Sequence, residues 1–147
     1  MNVIADIDKE MVQNRLLILK ENLSFLDKEK SRGSLENLST DLKLQYSILY
    51  LLQNSIQIMI DIANHILARK THNIPSEAGN VFDALEKEQL IPTGHAKKFK
   101  QMVKFRNLVI HRYQDIDTNL IYTILHENLT DFESFIEDVK KILLTSR

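Results

Sequence analysis

The stretch Leu49–Ile66, with the sequence LYLLQNSIQIMIDIANHI, decides the fold class of this chain. Its apolar residues recur at intervals of three and four, which is the period of one helix face and not of a strand. Residues 12–26 and 125–143 repeat the same pattern. Sustained spacing of this kind favours antiparallel helices that cross at a small angle. The sequence therefore predicts an all-α, antiparallel helical bundle.

The apolar face of this stretch is broad. Beside the main stripe stand further apolar side chains that lie partly off it, namely Ile48, Leu51, Ile58, Ile60 and Ile62. A helix that is apolar on more than one side has to be covered on more than one side. The breadth of the face therefore predicts a homodimer.

Polar segments between the stripes divide the chain into about five helices. These breaks are Ser31–Ser34, Lys70–Pro75, Pro92–Gly94 and Gln114–Asp117. Side chains that accept hydrogen bonds from a helix N-terminus stand near three of the predicted starts. Ser76 is the candidate cap of a short helix that ends near Glu88. Thr93 and Asp117 are the candidate caps of the two helices that follow.

Composition is typical of a folded helical protein. Of 147 residues, 44% are hydrophobic, and the chain has only three Gly and two Pro. We expect one domain over residues 1–147. The absence of cysteine excludes disulfides, thiolate metal sites and cysteine nucleophiles. The N-terminus does not resemble a signal peptide, and the longest apolar run, Ile48–Leu52, is too short to cross a bilayer. We therefore expect a soluble, cytoplasmic protein without membrane contact.

Positive charge is concentrated in residues 91–114. The formal net charge of the chain is −1, but this segment holds no Asp or Glu. Its cations are Lys97, Lys98, Lys100, Lys104, Arg106 and Arg112. A basic segment on an acidic body indicates a phosphate-binding surface, although lysines on an exposed helix face also serve ordinary solubility.

Arg106 stands in the middle of an apolar helix face. On a helix that turns about 100° per residue, five apolar side chains span an arc of roughly 120° with Arg106 near its centre, namely Phe99, Met102, Val103, Val109 and Ile110. A guanidinium keeps its charge in a protein, so at this place it needs a partner or a function.

His111 follows Arg106 by five residues, and Tyr113 follows it by seven. On one continuous helix the five-residue step leaves Arg106 and His111 about 140° apart, whereas Tyr113 lies within about 20° of Arg106. Two arrangements bring the arginine and the histidine together. The helix ends near Ile110 and the chain re-aims His111, or two copies of the motif meet across a dimer interface, or both arrangements hold together.

The segment Arg106–Tyr113 has the pattern R-x4-H-x-Y, with a polar residue directly after the arginine. This pattern resembles the signature of the HepT toxins in the HEPN superfamily. Ser55–Ile66 (SIQIMIDIANHI) resembles the second helix of that family, and Phe105–Asp117 (FRNLVIHRYQDID) resembles its motif and the residues that follow. Val81–Met102 and Tyr122–Leu129 fit the family in spacing.

The resemblance implies the HEPN fold and RNA cleavage that needs neither metal nor cofactor and leaves a 2′,3′-cyclic phosphate. Arg106 and His111 are then the catalytic residues, and Asn107 supports them by binding phosphate or orienting His111. The residue types suit this chemistry, because histidine exchanges protons near neutral pH and arginine grips a phosphate with two parallel hydrogen bonds. The candidate RNA contacts are Lys100, Lys104 and Arg112.

The resemblance also implies a protein partner. HepT toxins are neutralised by a nucleotidyltransferase antitoxin that transfers AMP to the motif tyrosine, which is Tyr113 in this chain. A bulky anionic group at Tyr113 would occupy the phosphate site and repel RNA. The alternative function is a non-catalytic helical subunit of a nucleotidyltransferase complex.

Structural interpretations exist for the same residues. Arg106 suits an ion pair at a subunit interface, His111 the negative end of a helix, and Tyr113 an interface aromatic. Asp61 and His65 lie one helical turn apart, but two ligands do not make a metal site, and structural hydrogen bonds are expected there. The remaining histidines are expected at the surface, namely His72, His95 and His126.

Overall fold

The computed structural model of the chain describes residues 6–71 and 73–146, and the regular structure of these residues is helical throughout. Seven α-helices form within the described residues, and a 3-10 turn at Tyr113–Asp115 joins the fifth to the sixth. The helices are α1 (Lys9–Glu29), α2 (Leu35–Thr40), α3 (Leu42–Lys70), α4 (Asn80–Lys87), α5 (His95–Arg112), α6 (Thr118–Glu127) and α7 (Leu129–Thr145). The predicted all-α fold is therefore confirmed.

Two helices exceed the expected number. α2 forms in a segment to which no helix was assigned, because Ser34 accepts a hydrogen bond from the backbone amide of Asn37 at 3.1 Å and caps it. α6 and α7 replace a single last helix, because the chain leaves helical geometry at Asn128, with φ −114° and ψ 5°. The apolar spacing continues across Asn128, so the spacing alone did not reveal the break.

α3 is the central helix, and it contacts α1, α2, α4 and α5. Four of the side chains that lie off its main stripe are at most 4% exposed within this single chain: Ile48, Ile58, Ile60 and Ile62. The chain's own helices thus cover the additional sides of α3. The argument from the breadth of this face to a homodimer was therefore wrong, and the homodimer stays a prediction that rests on the spacing of Arg106 and His111.

Three phenylalanines attach the first half of α5 to the bundle. Phe82 of α4, Phe99 of α5 and Phe135 of α7 are each less than 2% exposed, and their ring centroids lie 5.4 to 6.1 Å apart. Full burial of such a side chain stabilises the fold by about 1.5–3 kcal/mol. Because the first half of α5 is fixed in this way, its last turns, which carry the motif, lie along α3.

A side chain of the preceding helix caps the N-terminus of α5. Thr93 was predicted as the cap, but the N-cap residue is Gly94, with a left-handed φ of 95° and no side chain to accept a hydrogen bond. Instead, the Glu86 carboxylate accepts from the backbone amides of Gly94 and Ala96 at 2.9 and 3.1 Å. A carboxylate also suits the positive end of a helix dipole.

The other two predicted caps had different outcomes. Ser76 was wrong as a cap, because α4 begins at Asn80, after Gly79, and has no side-chain cap. Asp117 is confirmed, since its carboxylate accepts from the backbone amide of Asn119 at 2.9 Å.

Two described histidines outside the motif link distant parts of the chain. His95 Nδ1 forms a 2.7 Å hydrogen bond with the buried Asp138, and burial raises the pKa of the Asp138 carboxyl while the His95 hydrogen bond opposes that rise. His126 Nε2 lies 2.7 Å from the carbonyl oxygen of Gly33. The expectation that His95 and His126 are surface residues was wrong, because both are partly buried and each has a hydrogen-bond partner far along the chain. His72 lies outside the described residues.

Asp61 and His65 have different hydrogen-bond partners. His65 Nε2 accepts from the backbone amide of Asp8 at 3.0 Å, and burial, followed by the charge of Arg69, lowers the pKa of His65. Asp61 accepts from the side-chain amide of Gln57 at 2.9 Å. The two residues therefore make the structural hydrogen bonds expected of them, although not with each other.

Candidate active site

Arg106 lies on the face of α5 that packs along α3, and it is partly buried. Its Nη1 donates to the Gln57 side-chain oxygen at 2.6 Å. Its Nε and Nη2 donate to Asn107 Oδ1 at 3.2 and 2.5 Å. Within residues 6–71 and 73–146 it has no ion pair with a carboxylate. Two neutral amide oxygens, from Gln57 and Asn107, are therefore the hydrogen-bond partners of the Arg106 guanidinium.

Asn107 thus holds the arginine next to it in sequence. Asn107 was predicted to bind phosphate or to orient His111. In the structure its Oδ1 instead accepts hydrogen bonds from Arg106. The Nδ2 amide of Asn107 is left for either role, because only Oδ1 contacts Arg106.

Sequence reasoning did not single out Gln57. It lies on α3, one turn before Asp61, and its amide links that carboxylate to Arg106. The signal that could have found it is a polar residue between Ile56 and Ile58 in an otherwise apolar stretch. The identity of its partner was not visible, because Arg106 follows 49 residues later.

His111 is exposed, and α5 continues beyond it to Arg112. The predicted arrangement in which the helix ends near Ile110 is therefore wrong, because the α-helical backbone persists through the motif histidine. On this uninterrupted helix Arg106 and His111 point about 140° apart. The arrangement that remains open is the one with two copies of the motif.

Tyr113 begins the 3-10 turn directly after α5 and is 50% exposed. Its ring meets Tyr46 of α3 edge-on, with 6.5 Å between the ring centroids. Together with neighbouring side chains it lines an open groove of about 380 Å³, whose other walls are Tyr46, Leu49, Tyr50, Gln53 and Val109. Tyr113 therefore lies against α3, as Arg106 does, and its half-exposed side chain lines the groove.

Folding brings acids to the basic segment. Lys100 Nζ lies 2.6 Å from a carboxylate oxygen of Asp83, which the linear sequence does not place near it. Arg112 lies 3.4 Å from Asp115, but both side chains are about two-thirds exposed, so this contact contributes little. Lys104 is exposed and has no ion pair among the described residues. Of the three candidate RNA contacts, Lys104 is thus the cation with no acid beside it.

Two other kinds of site are absent from the described part of the chain. No group of three or more His, Cys, Asp or Glu side chains there is arranged to hold a metal ion. No helix in residues 6–71 and 73–146 has the length and apolar character to cross a membrane.

The sequence is similar to known ribonucleases. A family model described as ribonuclease HepT-like matches residues 19–139. The chain is 29% identical over 131 residues to the mRNA nuclease HepT of Shewanella oneidensis, which covers 89% of this chain and 97% of that protein. It is 25% identical over 142 residues to the tRNA nuclease HepT of Aphanizomenon flos-aquae, which covers 97% of this chain and 96% of that protein.

The fold is similar to solved toxin structures. A chain in a crystal structure of a toxin–antitoxin with AMP-PNP matches with a TM-score of 0.83 and 28% identity, over 90% of this chain and 98% of that one. The tri-AMPylated HEPN toxin of Shewanella oneidensis, in complex with an MNT antitoxin, matches with a TM-score of 0.81 and 30% identity, over 96% and 99%. This protein is a ribonuclease that belongs to the HepT-like family, as the motif at Arg106–Tyr113 indicated.

Proposed function

We propose that this protein is the toxin of a toxin–antitoxin pair and cleaves RNA internally without a metal, through Arg106 and His111. The setting of Arg106 carries the proposal. It is a partly buried guanidinium whose contacts are neutral oxygens, so its positive charge is available to a phosphate. The names of its relatives, an mRNA nuclease and a tRNA nuclease, support RNA as the substrate.

The reaction uses a nucleophile that RNA itself carries. His111 takes the proton of the 2′-hydroxyl, and the 2′-oxygen attacks the adjacent phosphorus. The bond from phosphorus to the 5′-oxygen breaks. The leaving oxygen takes up a proton from the solvent, to which His111 then returns the proton that it accepted. The products are a 2′,3′-cyclic phosphate and a 5′-hydroxyl. Arg106 stabilises the negative charge that builds on the phosphate oxygens in the transition state.

The site is composite in this proposal, with Arg106 of one subunit working beside His111 of a second copy. The continuity of α5 supports it, because one helix holds the two side chains apart. A surface that a second copy can cover lies where the end of α5 meets α3. Its exposed aromatic and apolar side chains are Tyr46, Tyr50, Ile110 and Tyr113.

Substrate choice tests the reaction. We expect the purified protein to cleave an RNA oligonucleotide in the presence of EDTA and to leave DNA of the same sequence intact, because DNA lacks the 2′-hydroxyl. The matched control is the same RNA with one 2′-deoxynucleotide at the cleaved position, which should block that cut almost completely. Cleavage of the DNA, or loss of RNA cleavage in EDTA, would contradict the mechanism.

We further propose that a nucleotidyltransferase antitoxin neutralises the protein by AMP transfer to Tyr113. The hydroxyl oxygen attacks the α-phosphorus of ATP, and pyrophosphate leaves. The AMPylated relative supports this proposal. In this chain the only hydrogen bond to that hydroxyl from a described residue is a long one, 3.5 Å from Gln114. The adduct would add a negative charge on the side of α5 that carries Arg106 and so exclude RNA phosphate.

Intact-mass measurement tests the modification. Protein co-expressed with its nucleotidyltransferase should gain the mass of at least one adenylyl group, and Tyr113→Phe should gain none while it still cleaves RNA. Tyr46→Phe is the matched control, because Tyr46 is equally exposed and faces the same groove. An adduct that persists in Tyr113→Phe, or disappears in Tyr46→Phe, would place the modification elsewhere.

A further inference from the structure

Gln57 links Arg106 to the Asp61 carboxylate through hydrogen bonds, and the two charged groups do not form an ion pair. Its side-chain oxygen lies 2.6 Å from Arg106 Nη1, and its amide nitrogen lies 2.9 Å from Asp61 Oδ1. We infer that Gln57 is a positioning residue that aims the Arg106 guanidinium at the RNA phosphate and keeps its charge unneutralised. This inference rests on the proposed role of Arg106 in binding phosphate.

Asp61 decides which way the Gln57 amide points. An ionised carboxylate only accepts hydrogen bonds, so the NH₂ group of Gln57 has to face Asp61. The carbonyl oxygen then faces Arg106, where a donor in its place would repel the guanidinium. Asp61 is itself 3.7 Å from Arg15 of α1, a long contact between side chains that are more than 40% exposed. The orientation of Gln57 therefore follows from Asp61 and needs little from Arg15.

Two N–H groups of Arg106 remain to donate hydrogen bonds to a phosphate. A guanidinium carries five N–H groups. Three of these donate to Gln57 and Asn107, one each from Nη1, Nε and Nη2. Two N–H groups, one on Nη1 and one on Nη2, have no partner among the described residues. The two nitrogens that carry them form the end of the guanidinium, so both can donate to a phosphate that approaches this end.

A glutamine suits this task better than a glutamate. A glutamate at position 57 would accept the same hydrogen bond, but it would pair its charge with Arg106 and reduce the attraction for phosphate. It would also stand one helical turn from Asp61, where two like charges repel. Leucine at the same position fills a similar volume but offers no acceptor. Gln57→Leu therefore tests the orientation of the guanidinium, and Gln57→Glu tests the effect of neutralising its charge.

Binding of an RNA with 2′-O-methyl groups tests the inference, because such RNA has no free 2′-hydroxyl and cannot be cut by the proposed reaction. We expect Gln57→Leu to weaken its binding by about tenfold or more, the range for a lost hydrogen bond to a charged group. Gln57→Glu should weaken binding at least as much. Gln13→Leu is the matched control, because Gln13 is an exposed glutamine on α1 that has no hydrogen bond to Arg106 or Asp61. It should bind as the wild type does.

A double-mutant cycle separates positioning from a merely structural role. If Gln57 acts through Arg106, then adding Gln57→Leu to Arg106→Ala should cause no further loss of binding. Equal losses in both backgrounds, or unchanged binding by Gln57→Leu, would overturn the inference, as would wild-type binding that does not depend on Arg106. Absence of RNA cleavage by the wild type, with this binding pattern intact, would instead overturn the proposed reaction and leave the role of Gln57 standing.

Discussion

Replacement of His111 by alanine should lower kcat/KM for RNA cleavage by about a hundredfold to ten-thousandfold, the usual contribution of a general acid or base. The physical reason is that no other side chain of the motif exchanges a proton readily at neutral pH. His111 is exposed and has no hydrogen bond to another described residue, so its loss should leave the fold unchanged. Initial rates on an RNA oligonucleotide, with circular dichroism of both proteins, measure the effect.

RNA binding is the control for this variant. Because the proposed role of His111 is proton transfer, His111→Ala should bind 2′-O-methyl RNA as the wild type does, whereas Arg106→Ala should bind it weakly. An active His111→Ala protein would show that His111 is not the base. Equal losses of binding in the two variants would show that His111 serves the phosphate and not the proton.

Mixed dimers should restore the activity that each single variant has lost. When Arg106→Ala and His111→Ala subunits are refolded together, about half of the dimers contain one of each kind if association is random. In a composite site, the His111→Ala subunit supplies the arginine and its partner supplies the histidine. We therefore expect about a quarter of the wild-type activity, because half of the dimers carry one intact site of two.

A second mixture, in which the mixed dimers should be inactive, serves as the control. Wild-type subunits mixed with the double variant Arg106→Ala/His111→Ala form no intact composite site in the mixed dimers, so only wild-type homodimers contribute. If both residues acted within one chain, this second mixture would keep active mixed dimers, and the first mixture would stay inactive. Comparison of the two mixtures therefore decides whether the site is formed by one chain or by two.

Much of the fold was predictable because helix formation and burial produce a regular spacing of apolar residues along the sequence. The intervals of three and four in α1, α3 and the last two helices predicted where the chain is helical, and Asp117 was recognised as a cap from its own neighbours. The cap of α5 escaped prediction because Glu86 belongs to the preceding helix. Partners that come from elsewhere in the chain leave no pattern at the position that they serve.

The same limit applies to the candidate site. The placement of Arg106 on the face of α5 that packs on the bundle followed from helix geometry, as did the proximity of Tyr113 to that side. Lys100 was a candidate RNA contact in a segment that holds no acid, yet Asp83 of α4 lies beside it. The spacing of the motif also left two arrangements open, and the length of α5 removed one of them.

The sequence by itself determined the all-α fold, the family and the unusual position of Arg106, because each of these follows from residue types at short, regular intervals. Only the tertiary structure decided what surrounds that arginine. Gln57 reaches it from 49 residues earlier, and Asp61 decides which atom Gln57 presents. The reason is physical: helix periodicity is a property of neighbours along the chain, whereas hydrogen-bond partners are chosen by how separate helices pack.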